Sequence, residues 1–188
     1  MKRIAIFGGT FDPVHSAHLT VAREALLAFA LDKVMFIPAA NPPHKQASTC
    51  ADYEHRFRML ELACAGQAGF AASRIEEGRG RSYSILTIER LRADHPQDRF
   101  YFLIGADAFA EIETWHRWRE VLGSVDFIVA SRPGHVYAIP EGARVHRLET
   151  VALGVSSTEI REQLARGESP AGVPETVLAY IRENHLYS

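Results

Sequence analysis

The chain of 188 residues is poor in cysteine, with Cys50 and Cys64 alone. Two thiols build no disulfide framework, so free cysteines in a reducing cytoplasm are expected. No apolar run is long enough to span a bilayer, and the first residues lead into a strand rather than through a signal peptide, so no membrane role is expected. Basic stripes are missing too. The 21 Lys and Arg stand against 23 Asp and Glu, a formal net charge of -2. That balance argues against a nucleic-acid polymer as partner and makes any phosphate binding local. Repeats and low-complexity tracts are absent. With 47% apolar residues and the length of one folded unit, residues 1–188 are expected to form a single domain.

Two familiar phosphate loops are also lacking. Thr10 occupies the second glycine of a G-x-G-x-x-G turn, and no acidic residue follows the strand Val34 to Ile37 to hold a ribose. A nicotinamide-dependent oxidoreductase is therefore disfavoured. The Gly-Lys-Ser/Thr of a Walker loop is absent as well.

What is present is the stretch IAIFGGTFDPVHSAHL, Ile4 to Leu19. Its apolar start reads as a buried strand, stopped by Gly8-Gly9, which let the backbone turn sharply and approach a ligand. Thr10 to Pro13 read as a loop, and a helix follows from Ser16 with Leu19, Ala22, Leu26 and Phe29 at helical spacing. A helix N-terminus offers unpaired N–H groups and partial positive charge, which suit phosphate. His15 and His18 share one face there. They read either as anion-binding imidazoles or as a cap and a solvated side chain.

Further strands are expected over Lys33 to Ile37, Gly69 to Ser73, Arg99 to Ile104 and Val125 to Ala130, with a marginal, edge-like one over Arg144 to Leu148. Strand, helix, strand is a parallel crossover unit, and ligands bind at the strand-end edge of such sheets. The loop AANPPHKQ leaves from that edge. Its Pro42-Pro43 stiffens a segment carrying Asn41, His44 and Lys45. Helices are expected from Asp52 to Ala65, with His55, Arg56 and Arg58 on the polar side, and from Ser82 to about Arg92. Gly105 and Asp107 follow a strand end, where a carboxylate can meet ribose hydroxyls or cap a helix. Trp115 and Trp118, three apart, are expected on one helix face, and Trp115 could stack on a flat heteroaromatic ring. Arg132 follows a strand and suits a phosphate. Ser156 with Glu159 makes a capping box; Ser157, Thr158 and Arg161 add hydroxyls and a guanidinium at the same helix start. Gly167 ends this helix and Pro174 begins another.

Together these motifs resemble the nucleotidylyltransferase superfamily, whose signature is Gly-Gly-Thr-Phe-Asp-Pro-x-His-x-Gly-His, and within it the bacterial nicotinate-nucleotide adenylyltransferases. The resemblance runs from Gly8 to Tyr187 and includes Asn-x-Pro-His-Lys, Asp52-x-x-His55-Arg56, Ser82-Tyr83, Gly105-x-Asp107, Trp115 and the Ser156 to Arg161 motif. Departures are Ala17 for glycine, Ser84 for threonine, Leu86 for aspartate and Val155 for isoleucine. The resemblance implies a doubly wound α/β sheet, Rossmann-like, of about five parallel strands, with C-terminal helices closing the nucleotide site. It implies adenylyl transfer from ATP to nicotinate mononucleotide, with pyrophosphate released. His15, His18, Lys45 and Arg161 would be catalytic. Gly8, Gly9, Thr10, Phe11, Gly105, Asp107, Ser156, Ser157 and Thr158 would bind ATP. Asn41, His44, Ser82, Tyr83, Ser84, Trp115, His116 and Arg132 would bind the mononucleotide. Mg²⁺ would arrive on substrate phosphates, with no dedicated protein ligands, and the chain would be a monomer or homo-oligomer. A sibling enzyme for nicotinamide mononucleotide or phosphopantetheine, and a non-catalytic nucleotide-binding regulator, stay open at this point.

Overall fold

A computed structural model describes residues 1–41, 50–78, 80–151 and 154–188. Within them one parallel sheet has the strand order β3-β2-β1-β4-β5-β6. The strands are β1 (Arg3–Gly9), β2 (Lys33–Pro38), β3 (Phe70–Ala72), β4 (Arg99–Gly105), β5 (Asp126–Ser131) and β6 (Val145–Glu149). The expected count of about five becomes six, because the marginal Arg144 to Leu148 segment does pair, Phe127 to Ser131 running beside Val145 to Glu149. Both edges are weak in sequence: β3 has three residues, and β6 sets one buried leucine among polar and charged side chains.

Helices cover both faces: α1 (Ser16–Ala28), α2 (Tyr53–Cys64), α3 (Ser84–Asp94), α4 (Ala106–Ala110), α5 (Trp118–Ser124), α6 (Ser157–Ala165) and α7 (Glu175–Glu183). Alternation along the central strand divides the core. Ala5 and Phe7 pack with Val21, Ala22, Leu60 and Ile181 on one face; Ile4 and Ile6 pack with Ile88, Leu91, Phe109 and Phe127 on the other. A strand buried on both faces must be apolar throughout, which is why β1 and β5 read as unbroken runs.

The chain winds outward from β1 to β2 and β3, then returns to place β4 against the other side of β1. The connections diverge at that switch point, leaving a crevice beyond the strand ends. The Gly8-Gly9 pair does not stop β1. Both residues stay in the strand, opposite Ile37 and Pro38. The turn comes later, at Phe11, whose φ is 51°. Gly9 is needed because the Phe11 ring folds back over it: a Cβ there would sit 3.0 Å from Cζ.

Three local expectations are corrected. Asp107 does not cap α4; Gly105 occupies the N-cap and Asp107 lies exposed in the first turn. Trp115 and Trp118 do not share a helix. A 3₁₀ turn ends at Thr114, Arg117 takes a left-handed φ of 55°, and α5 starts at Trp118. Arg56 is buried at 2% exposure rather than on the polar side of α2, because two backbone carbonyls take up its guanidinium: Nη1 donates to Thr10 at 2.9 Å and Nε to Ala51 at 3.2 Å. Cys50 and Cys64 are free thiols. Among the described residues no helix is long and apolar enough to cross a membrane.

At the opposite end of the sheet, the buried carboxylate of Asp126 accepts from Arg99 and Arg144 and lies beside His146. Burial works against its charge, but hydrogen bonds from Arg144, Arg99 and His146 outweigh that and hold it below the usual carboxylate value. A lowered folded pKa gives stability that is present above the unfolded value and is lost as pH falls. Asp126→Asn should therefore cost roughly 1–3 kcal/mol in urea unfolding at pH 7, with the gap to wild type closing below about pH 4. A gap independent of pH would show that the carboxylate charge contributes nothing.

Candidate active site

The strand-end crevice holds a cavity of about 710 Å³, lined by Thr10, Asp12, His15 and His18 from the β1–α1 connection and by Gly105 and Asp107 after β4. Ser156, Ser157, Thr158 and Arg161, at the start of α6, complete it. Residues more than 140 positions apart in sequence thus meet because α6 returns over the start of α1. The Ser16 N–H donates to the Gly172 carbonyl at 2.7 Å, and Ser157 Oγ donates to the Pro13 carbonyl at 3.1 Å. Two helix N-termini, those of α1 and α6, lie at one cavity.

His15 is the N-cap of α1, and its ring stacks on that of His18 with centroids 3.7 Å apart. The His15 backbone N–H donates to His18 Nδ1 at 3.3 Å. An accepting Nδ1 carries no proton, so the proton of neutral His18 is on Nε2. His18 thus caps the helix start and also lines the cavity, while His15, the other ring of the pair, is buried rather than solvated. Burial lowers the pKa of both rings, that of His15 to about 4, and the proximity of His15 depresses His18 further. Near neutral pH they are uncharged N–H donors. A bound polyphosphate would favour their charged forms.

Beneath them, Phe11 packs edge-on to Phe7 and against His18 at 5.0 Å, so its ring belongs to the core rather than to the cavity wall. The loop above is held at three of its carbonyls and at the Asp12 carboxylate. Arg161 Nη1 donates to the Asp12 carbonyl at 2.8 Å and Nη2 to Thr158 Oγ1 at 3.2 Å. Ser156 Oγ accepts the Glu159 N–H, one half of the expected capping box. The Asp12 carboxylate is buried and accepts the N–H groups of Cys50 and Ala51 and the hydroxyl of Tyr187. Asp12, Arg56 and Tyr187 were not among the expected site residues. Asp12 and Arg56 lay inside matched motifs, whereas Tyr187 gave no local signal.

A second group gathers along the same edge. The Asn41 N–H donates to Ser82 Oγ at 2.9 Å, and the Ser82 N–H returns to the Asn41 carbonyl at 3.0 Å. Tyr83 caps α3 from the backbone and stacks on His116 at 4.3 Å; Ser84 opens that helix. Trp115 meets Phe102 edge-on at 5.7 Å. Glu76, which sequence reasoning missed, lines a hollow with Ser82 and Tyr83 and accepts from Thr87 Oγ1 at 2.7 Å. Arg132 lies apart from this group, in a hollow with Asp107 and His135 that shares Gly105 and Ala130 with the main cavity. His44 and Lys45 fall outside the described residues. Among the described residues no three His, Cys, Asp or Glu side chains converge as a metal site.

Chemically, the cavity supplies N–H donors, hydroxyls and a guanidinium around a space of polyphosphate size, with no nucleophile paired to a base. Such a set binds and orients anions and stabilises charge that grows on them.

The sequence model of the cytidylyltransferase-like family matches residues 6–163. A protein of Solibacter usitatus named probable nicotinate-nucleotide adenylyltransferase is 58% identical over 187 residues, covering 99% of this chain and 100% of that one. A protein of the same name from Exiguobacterium sibiricum is 43% identical, covering 99% of each. The chain belongs to the nicotinate-nucleotide adenylyltransferase family. Its fold also matches a solved Plasmodium falciparum nicotinic acid mononucleotide adenylyltransferase complexed with NaAD, with a TM-score of 0.80 over 100% of this chain and 98% of that one, at 19% identity.

Two departures from the signature of the nicotinate-nucleotide adenylyltransferases now have positions. Ala17 is buried with its methyl on the cavity wall between the histidines. Leu86 is half-exposed on α3, one residue before the Thr87 that donates to Glu76.

The lowered pKa of His15 carries a stability consequence. The unfolded ring takes up a proton near pH 6.5 and the folded one only near 4, so stability present above pH 6.5 is lost as pH falls toward 4. Between pH 7.5 and 5 this one ring should cost the wild type about 2 kcal/mol that His15→Gln does not lose, read from urea unfolding at both pH values. Parallel pH dependences would show that His15 is not held neutral.

Proposed function

We propose that the chain transfers the adenylyl group of ATP to nicotinate mononucleotide, forming nicotinate adenine dinucleotide and pyrophosphate. The observation that carries this reading is the cavity at the β1–β4 switch point, where two helix N-termini, the neutral histidine pair and Arg161 surround one space. Full-length similarity to nicotinate-nucleotide adenylyltransferases supports the choice of substrates.

The attacking group is a phosphomonoester oxygen, already ionised near neutral pH, so no general base is required. Its oxygen forms a bond to the α-phosphorus of ATP while the bond from that phosphorus to the α–β bridging oxygen breaks, and pyrophosphate leaves with the electron pair. The difficulty is the approach of two anions and the charge that develops on the leaving group. His18 donates Nε2–H toward that charge, with His15 stacked behind it. Arg161, the Thr158 hydroxyl and the Ser157 backbone N–H hold the departing phosphates at the start of α6, and Asp107 meets the ribose. Nucleotidyltransferases use ATP with a divalent ion, which we take to be Mg²⁺. The carboxylate of Asp12 already accepts three hydrogen bonds, so the residues present suit an ion ligated mainly by phosphate oxygens. When bound, that ion neutralises part of the phosphate charge.

The pyridine ring would sit by Trp115, Tyr83 and His116, near the N-terminus of α3. Glu111 and Glu113, which flank this region, are exposed. Glu76 is the nearby carboxylate, and its oxygens are occupied by the Thr87 hydroxyl and the Ala40 N–H. That leaves N–H donors for a substrate carboxylate.

Two measurements test the reading. Purified chain with ATP, Mg²⁺ and either mononucleotide should release pyrophosphate, with kcat/KM for the acid at least ~10²-fold above that for the amide, because a mispaired buried polar group costs a few kcal/mol. Equal efficiencies would reassign the substrate, and no pyrophosphate with any substrate would end the enzyme reading. His18→Ala should lower kcat by ~10²–10³, the loss expected on removing one donor to developing charge. A variant that melts early but turns over normally while folded would instead make His18 a structural cap.

A further inference from the structure

The penultimate residue, Tyr187, holds a left-handed backbone, φ 64°, and His185 does likewise at 50°. These two non-glycine residues bend the tail after α7 back onto the β1–α1 loop. There the Tyr187 hydroxyl donates to Asp12 Oδ1 at 2.6 Å. Asp12 is 2% exposed, and its carboxylate also accepts from the N–H groups of Cys50 at 2.7 Å and Ala51 at 3.2 Å. The same residue's carbonyl takes Arg161 Nη1 at 2.8 Å. One residue therefore receives the C-terminus on its side chain and the phosphate-facing guanidinium on its backbone. Next to it, the Thr10 carbonyl is held by Arg56 and the Pro13 carbonyl by Ser157.

We propose that Tyr187 is a positioning residue for the reaction: through Asp12, its hydroxyl sets the Thr10–His15 loop and the Arg161 guanidinium in their catalytic arrangement, so the site is complete only when the C-terminal tail is docked. Burial, and then the bond to Asp12, push the phenol pKa up, so it remains a donor throughout the working range. With that donor removed, Asp12 keeps two backbone N–H bonds at one side of the loop and loses the bond that ties it to the tail. Misplacement of reacting groups by about 1 Å lowers rate far more than it lowers binding.

The inference rests on the proposed adenylyl transfer, and Tyr187→Phe tests it while keeping the ring. In chain shown to be folded by circular dichroism, kcat should fall about 10- to 30-fold while KM for ATP stays within threefold. Tyr187→Phe should have little added effect in a folded Asp12→Ala background, since that variant already lacks the acceptor through which the hydroxyl acts. Assay at 10 °C keeps the comparison possible if the variant is less stable. An activity-independent readout comes from the ¹⁵N signals of the His18 ring: the Nε2–H tautomer should give way to a mixture in the variant, because the His15 N–H that selects it sits on the same loop. A folded variant with kcat within twofold of wild type, or effects that add fully with Asp12→Ala, would overturn the proposal. If the wild-type chain forms no dinucleotide, the functional reading fails separately, and unchanged His18 signals in Tyr187→Phe would then overturn this one.

Discussion

A buried carboxylate is costly unless it is well supplied with donors, and the fold around Asp12 provides three. Its donors come from the segment before α2 and from the C-terminal tail, while its carbonyl is taken by α6. None of these groups is near Asp12 in sequence. Satisfying this carboxylate gathers two distant parts of the chain, and its backbone carbonyl a third, onto the connection that leads from β1 to His15 and into the first turn of α1, where His18 lies. Arg56, buried against the Thr10 carbonyl, places a compensating positive charge on the same loop.

The electrostatic character of the cavity follows. Histidines that are buried and stacked are neutral near pH 7, so among the described residues the resting cavity has N–H donors but little fixed positive charge beyond Arg161. Donors of this kind need no reorganisation when charge moves from an attacking phosphate to a leaving pyrophosphate. They also avoid the large desolvation cost of two adjacent imidazolium rings, stacked here at 3.7 Å. The geometry of the cavity suits catalysis by orientation and charge stabilisation.

The second group of residues works by apposition of flat surfaces. The reciprocal bonds between Asn41 and Ser82 fasten the loop after β2 to the start of α3. Tyr83 and His116 stack, and Trp115 is braced by Phe102, whose ring also lies 3.7 Å from where a Cβ on Gly8 would stand. Glu76 supplies a carboxylate to α3 at Thr87, next to the position where Leu86 lacks one.

By itself the sequence determined the elements and their order. Apolar runs bounded by glycine and proline mark strands, 3.6-residue spacing marks helices, and strand–helix alternation implies a parallel sheet whose ligands bind at the strand ends. The two end motifs, around His15 and around Arg161, were legible because each is contiguous and chemically unusual. These signals depend on neighbours a few residues away, and so they survive in a linear reading. Tertiary structure decided what depends on distant partners. It buried Arg56, which local spacing assigns to a polar face, and it gave Asp12 a hydroxyl donor 175 residues away. It also separated Trp115 from Trp118 at a left-handed Arg117 and set Arg132 beside Asp107 rather than beside Tyr83. A side chain's partner across the fold is set by packing and by the demand that buried polar groups be paired, and neither leaves a local trace in the sequence.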